Sequence, residues 1–212
     1  MNKFYFVLLV FVLIGCKKSE NLHEDNRCTN FVVDNPDSLL LTSLQIDTIH
    51  YLFTRNHIDI TGLQFWTYNE SQGNRNILFR NIGAYQFVNG LKVFTDYWGF
   101  EFGDGDTLIN IGGDTITNIN LPSKPRLMSS QVRWIFINEM RKDGFYKNSI
   151  EIQNSCIDME FGYYDLNSGY GNRAKKYTSA WKVNPHNLNF PFAYIDDLKG
   201  KLIYYFNGIM TK

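Results

Sequence analysis

Cysteine is scarce, with three residues in 212, and no two of them form a C-x-x-C pair. A C-x-x-C redox or zinc motif is therefore excluded. There are four histidines, His23, His50, His57 and His186, and none sits in an H-E-x-x-H, which excludes a self-contained zincin. His50 and His57 are too widely spaced for an i, i+4 metal pair on one helix and read as surface or capping residues. There is no G-x-S-x-G and no P-loop. No nucleophile–base set or metal set can be assembled, so no catalytic residue, metal or cofactor is expected. Neither sign of charge is in surplus: Lys plus Arg is 21 and Asp plus Glu is 21, a formal net charge of +0. A nucleic-acid binder would carry a basic excess, so nucleic acid is not an expected partner.

What is present is aromatic. Phe, Tyr and Trp make up 16% of the chain, with 17 Phe and 13 Tyr, beside 16 Gly. That mixture favours strands and turns. With 44% hydrophobic and 20% charged residues, the chain has the make-up of a folded domain rather than of a disordered, collagen-like or coiled-coil one.

The first fifteen residues read as a signal peptide. One cation, Lys3, precedes the apolar run Phe4–Ile14, which is too short to span a bilayer. Leu13-Ile14-Gly15-Cys16 resembles a bacterial lipobox, so lipidation of Cys16 is expected, with a membrane partner through the lipid. Residues 16–35 are polar and read as a tether. Lys17 stands where the inner-membrane retention signal would be Asp, which favours the outer membrane of the cell envelope. With Cys16 lipidated, Cys28 and Cys156 remain as a pair. Export permits a disulfide between them, and closing so long a loop constrains the unfolded chain by about 5 kcal/mol. The alternative is two unpaired thiols.

Two helix-then-strands units are expected, at residues 36–121 and 122–212. In the first, Thr42-Ser43-Leu44-Gln45 fits a capping box. Ile46, Ile49, Leu52 and Phe53 then keep helical spacing, to an end near Arg55–His57. Strands are expected at 63–68, 77–88, 91–102 and 108–111, with turns at Asn89-Gly90 and Asp104-Gly105. Leu121-Pro122-Ser123-Lys124-Pro125 reads as a linker. A second helix follows, capped by Ser129 or Ser130 and stopped at Asp143-Gly144, with strands at 150–159, 178–183, 192–195 and 201–206. One helix ahead of several antiparallel strands, twice over, implies a two-layer α+β fold.

The motifs inside these units resemble the propeptides of thermolysin-type secreted metalloproteases. Residues 85–94, Tyr-Gln-Phe-Val-Asn-Gly-Leu-Lys-Val-Phe, with Gly103-Asp104-Gly105 beyond, are similar to the hairpin of the fungalysin/thermolysin propeptide module. Ala180-Trp181-Lys182-Val183 with Ala193-Tyr194-Ile195-Asp196 and Gly200 resembles the end of a PepSY domain. The resemblance implies a PepSY/cystatin-like fold. It also implies structural roles for Gln86, Gly90, Val93, Trp181, Asp196 and Gly200, and a partner that is a peptidase, modulated in trans, or another envelope protein.

The remaining chemistry is thin. Asp104, Asp106 and Asp114 can cradle a calcium ion or simply form a turn. Asp158 and Glu160 read as solvated. Residues 172–176 (Asn-Arg-Ala-Lys-Lys) form a local basic patch able to meet an acidic partner or lipid headgroups. The leading expectation is a non-enzymatic envelope lipoprotein that binds protein through an exposed strand edge. The alternative is a glycan-binding module using Tyr163, Tyr164 and Tyr170 as stacking platforms.

Overall fold

The structure is a computed structural model, and it describes residues 31–32, 41–73, 78–116, 118–144, 146, 156–169 and 173–209. The elements are β1 (Phe31–Val32), α1 (Ser43–Arg55), β2 (Leu63–Gln72), β3 (Leu78–Val88), β4 (Leu91–Phe102), β5 (Leu108–Gly112), α2 (Ser129–Lys142), β6 (Ile157–Asp165), β7 (Tyr177–Pro185), β8 (Phe192–Asp196) and β9 (Lys201–Phe206). Among the described residues no helix is long and apolar enough to cross a membrane.

The local signals act as the side chains dictate. Thr42 caps α1, its hydroxyl accepting from the Gln45 N–H while the Gln45 side chain accepts from the Thr42 N–H. Asn89 and Gly90 take φ of 53° and 76°, the paired positive values of a tight hairpin turn. α2 starts one residue earlier than its serines suggest. Its N-cap is Met128, whose N–H is accepted by the Gln131 side chain.

The expected fold class is not what forms. Instead of two helix-then-strands units in a two-layer α+β arrangement, the strands run into one mixed, nine-stranded sheet, with two α-helices among the described residues. Its order is β2-β3-β4-β6-β7-β8-β9, with β5 on β4 and β1 on β6. The correction lies in one junction. β4 and β6 pair in parallel over Lys92↔Gly162 and Val93↔Tyr163. Beyond that overlap β4 turns to β5, and β6 turns to β1. Sequence periodicity cannot reveal such a pairing, because it joins strands across a connection far longer than a hairpin.

The junction is built around Lys92, 2% exposed, whose Nζ lies 3.5 Å from Glu160 Oε1 and 3.9 Å from the centre of the Tyr85 ring. Glu160 is thus a buried ion-pair partner, not a solvated carboxylate. Its strand neighbour Asp158 meets His186 Nδ1 at 2.7 Å. Gly162 is required here, since a Cβ would stand 2.4 Å from the Lys92 carbonyl oxygen and 2.8 Å from the Phe94 ring.

Three apolar clusters lie along one face. Ile49, Leu52 and Phe53 of α1 pack on Ile82, Ala84, Phe100 and Phe102. Val132, Phe136, Ile137 and Met140 of α2 pack on Met159, Trp181, Val183 and Ile195. Between them the 113–121 segment drops Ile116 and Ile119 onto Val88, Val93 and Tyr163. A bulge keeps these residues on a common face. β4 uses Lys92 to Tyr97 where β3 uses only Phe87 to Tyr85. Without that odd insertion Phe100 and Phe102 would point away from α1. Both helices therefore cover the same face, and no described element covers the other.

Cys156, just ahead of β6, is disulfide-bonded. Cys16, Cys28 and the expected signal peptide lie outside the described residues.

Removing one partner of the buried pair at the junction leaves the other charge uncompensated. Lys92→Ala is expected to lower stability by about 3–5 kcal/mol in urea unfolding, whereas the double change Lys92→Met with Glu160→Gln recovers most of that loss.

Candidate functional site

The residues singled out by the family resemblance sit in the framework. Gln86 donates to the Ile116 carbonyl at 2.7 Å and accepts from the Ile116 N–H at 3.1 Å, clamping the 113–121 segment to β3. Gly90 is in the β3–β4 turn, Gly200 has φ 61° in the β8–β9 turn, and Val93 is fully buried. Asp196 accepts from the N–H groups of Leu198 and Lys199 at 2.9 Å and so shapes that turn. Trp181, 4% exposed, donates its indole N–H to Asp197 Oδ1 at 2.9 Å. The same carboxylate accepts from the Arg126 and Leu127 N–H groups, tying the linker before α2 to the sheet. Sequence reasoning named Asp196 for the motif. The neighbouring Asp197, 1% exposed, carries the longer-range contacts.

The other candidates are dispersed. Asp106 pairs with Arg80, Asp104 accepts from the Gly105 N–H, and Asp114 pairs with Lys175 at 3.2 Å, so the three acids do not converge. Among the described residues no group of three His, Cys, Asp or Glu is placed to hold a metal. Lys175 is also bound to Asp96 on β4, so the basic patch is partly neutralised by its own sheet. Tyr163 is fully buried in the central cluster and offers no platform. Tyr164 packs on Tyr194 with ring centres 4.7 Å apart. Tyr170 lies outside the described residues.

A groove does form on the face that no described element covers, at residues the sequence reading passed over. The register sets Gly83 opposite Gly99, and Gly99 opposite Gly112. One step along, Asn69, Asn81, Glu101 and Asn110 stand in line across β2, β3, β4 and β5. On the other side of the glycines stand Tyr97, 65% exposed, and Trp66. Together they line an open groove of about 330 Å³, at the small end of ligand sites.

Local structure explains each wall. Trp66 is the extra residue of a bulge, since Phe65 faces Ala84 and Thr67 faces Gly83. The bulge lays the indole over Gly83, where a Cβ would meet Trp66 Nε1 at 3.0 Å. Tyr85 supports the indole, its ring centre 5.6 Å away. Among the described residues the Trp66 Nε1 has no hydrogen-bond acceptor, and the side chains of Asn81, Glu101 and Asn110 make no hydrogen bond. The wall thus presents amide donors and acceptors and one carboxylate to whatever enters. The one legible signal was a repeat of short polar–glycine pairs at i, i+2: Asn81-x-Gly83, Gly99-x-Glu101 and Asn110-x-Gly112. Glycine inside a strand marks a bulge, a tight bend, or the close approach of a ligand or another backbone.

Comparison with protein-family models finds no match, and comparison with curated proteins finds none either.

Several tyrosines around the sheet resist ionisation. Burial and the hydrogen bond to Glu70 push the Tyr68 hydroxyl up to about 12. Burial, then the adjacent Asp96, raises Tyr177, and burial, then Asp143, raises Tyr205. An unfolded tyrosine titrates near 10. The folded values lie higher, so their contribution is fully present below about pH 10 and is lost as pH rises through the folded values. The unfolding midpoint is expected to fall from about pH 10 to 12 and beyond, with native phenolate absorbance lagging that of the unfolded chain; Tyr68→Phe should soften the onset of that fall.

Proposed function

We propose that this protein is a non-enzymatic binding module of the bacterial envelope, held at a membrane by lipid on Cys16, with the sheet face opposite the two helices as its recognition surface. A Cys28–Cys156 bridge would pin the tether to the domain. One observation carries the reading: both helices and the 113–121 segment pack on one face of the nine-stranded sheet, while the other presents a glycine-floored groove with aromatic and amide walls. A concave groove with convergent polar groups and an aromatic wall is the kind of surface that receives a ligand.

A second reading, a protein partner modulated in trans, is favoured by the β9 edge. Among the described residues β9 bonds to β8 alone, which leaves one side of its backbone open to an added strand. The propeptide-like motifs point to a peptidase as that partner.

Two experiments test the proposal. Cys16→Ala is expected to abolish lipid labelling and release the protein from the membrane fraction; retention in the membrane would defeat the lipid assignment. Intrinsic fluorescence of the mature protein should change on titration with separated envelope polysaccharide and envelope protein fractions. The response should weaken in Tyr97→Ala. No response to either fraction would remove the basis for a binding role.

A further inference from the structure

We propose that the groove over Gly99 and Gly112 binds a neutral polysaccharide chain, one sugar ring lying on the glycine pair against Tyr97. The inference rests on the binding-surface reading above and assigns the ligand class of that same site.

The glycines themselves carry it. Gly83 is explained by packing, because Trp66 lies on it. Gly99 and Gly112 are not explained by the fold. A Cβ at either position would meet nothing within 4 Å, and neither has the positive φ that favours glycine. Each sits in a strand, where glycine is a poor choice for stability. Two such positions directly opposite each other on β4 and β5 make a floor free of side chains. Their strands run about 4.8 Å apart, close to the width of one pyranose ring.

The walls select the occupant. Tyr97 offers an exposed ring, and Trp66, held by Tyr85, closes the Gly83 end. An aromatic face packs well on the apolar C–H face of a sugar. Opposite, Asn81, Glu101 and Asn110 stand in register. Amides donate and accept at once, as hydroxyl-rich ligands require. Among the described residues Glu101 is the one carboxylate in the lining, and no Lys, Arg or His lines the groove. That disfavours phosphorylated or acidic chains, nucleic acid among them. The groove is open and shallow, which suits a chain lying across it better than a small molecule enclosed within it.

The test uses the lipidated mature chain in a detergent that contains no sugar. The probes are neutral hexasaccharides of glucose, mannose, xylose and N-acetylglucosamine, measured by calorimetry. At least one is expected to bind. Tyr97→Ala should weaken that binding by about tenfold. Gly99→Val and Gly112→Val should each abolish it while leaving the thermal midpoint unchanged or higher, because the new side chain enters open space in a strand. Tyr204→Ala, on the far half of the same face, should leave binding intact. Should one valine variant fail to fold, the other and Tyr97→Ala decide the question. Binding that survives both valine variants would overturn the site. If no hexasaccharide binds but the envelope protein fraction does, the sugar assignment falls and the binding-surface reading stands; if nothing binds, both fall.

Discussion

The structure depends on two backbone pairs. Lys92↔Gly162 and Val93↔Tyr163 are where β4 and β6 overlap, and through them two antiparallel meanders become one sheet. The overlap requires a residue without a side chain at 162, because the Lys92 carbonyl and the Phe94 ring occupy the space a Cβ would take. It also buries the Lys92 ammonium, which Glu160 and the face of the Tyr85 ring stabilise. Further ties reinforce it: the Asp165 N–H donates to Thr95 Oγ1, and Lys175 and Tyr177 both reach Asp96 on β4.

Once the strands are joined, the parity of β4 decides which face is closed. Its bulge between Lys92 and Tyr97 returns Phe100 and Phe102 to the side that already holds Val93. One face can then be sealed from end to end by α1, the 113–121 segment and α2. Polar clamps at Gln86 and Asp197 fasten the intervening chain. The same parity leaves Tyr85, Tyr97 and the glycine row on the opposite face. The groove is thus a consequence of how the core is closed, and the bulge at Trp66 supplies one end of it.

The opposite face is aromatic along its other half as well. Phe94 and Tyr164 pack on Tyr194, and Tyr194 packs on Phe192. These rings cover one another, and Tyr194 and Phe192 are half-buried. Among the described residues the aromatic rings therefore serve as core beneath the helices, as a self-packed layer on the opposite face, and as walls of the groove, while Tyr51 and Trp134 stand exposed on the helices. Composition alone suggested strands and could not apportion the rings among these uses.

Local structure was legible because its causes are local. The capping box at Thr42, the Asn89-Gly90 turn, and the strands at 91–102 and 201–206 each follow from neighbours a few residues away. The fold class was misread because it turns on a parallel pairing between Lys92–Val93 and Gly162–Tyr163, distant in the chain and unmarked by any periodicity. The candidate site was missed for the same reason. Gly83, Gly99 and Gly112 are unremarkable one at a time, and only strand register aligns them with Asn81, Glu101 and Asn110. By itself the sequence determined both helices, most strands and their turns, since short-range sterics and hydrogen bonding set those; β6, expected at 150–159, instead runs Ile157–Asp165, and β1 falls within the stretch read as a tether. Tertiary structure alone decided that Tyr163 is core, that Glu160 is buried beside Lys92, and that three glycines share a floor. Those are properties of long-range packing, where strand order and face parity determine what each side chain meets.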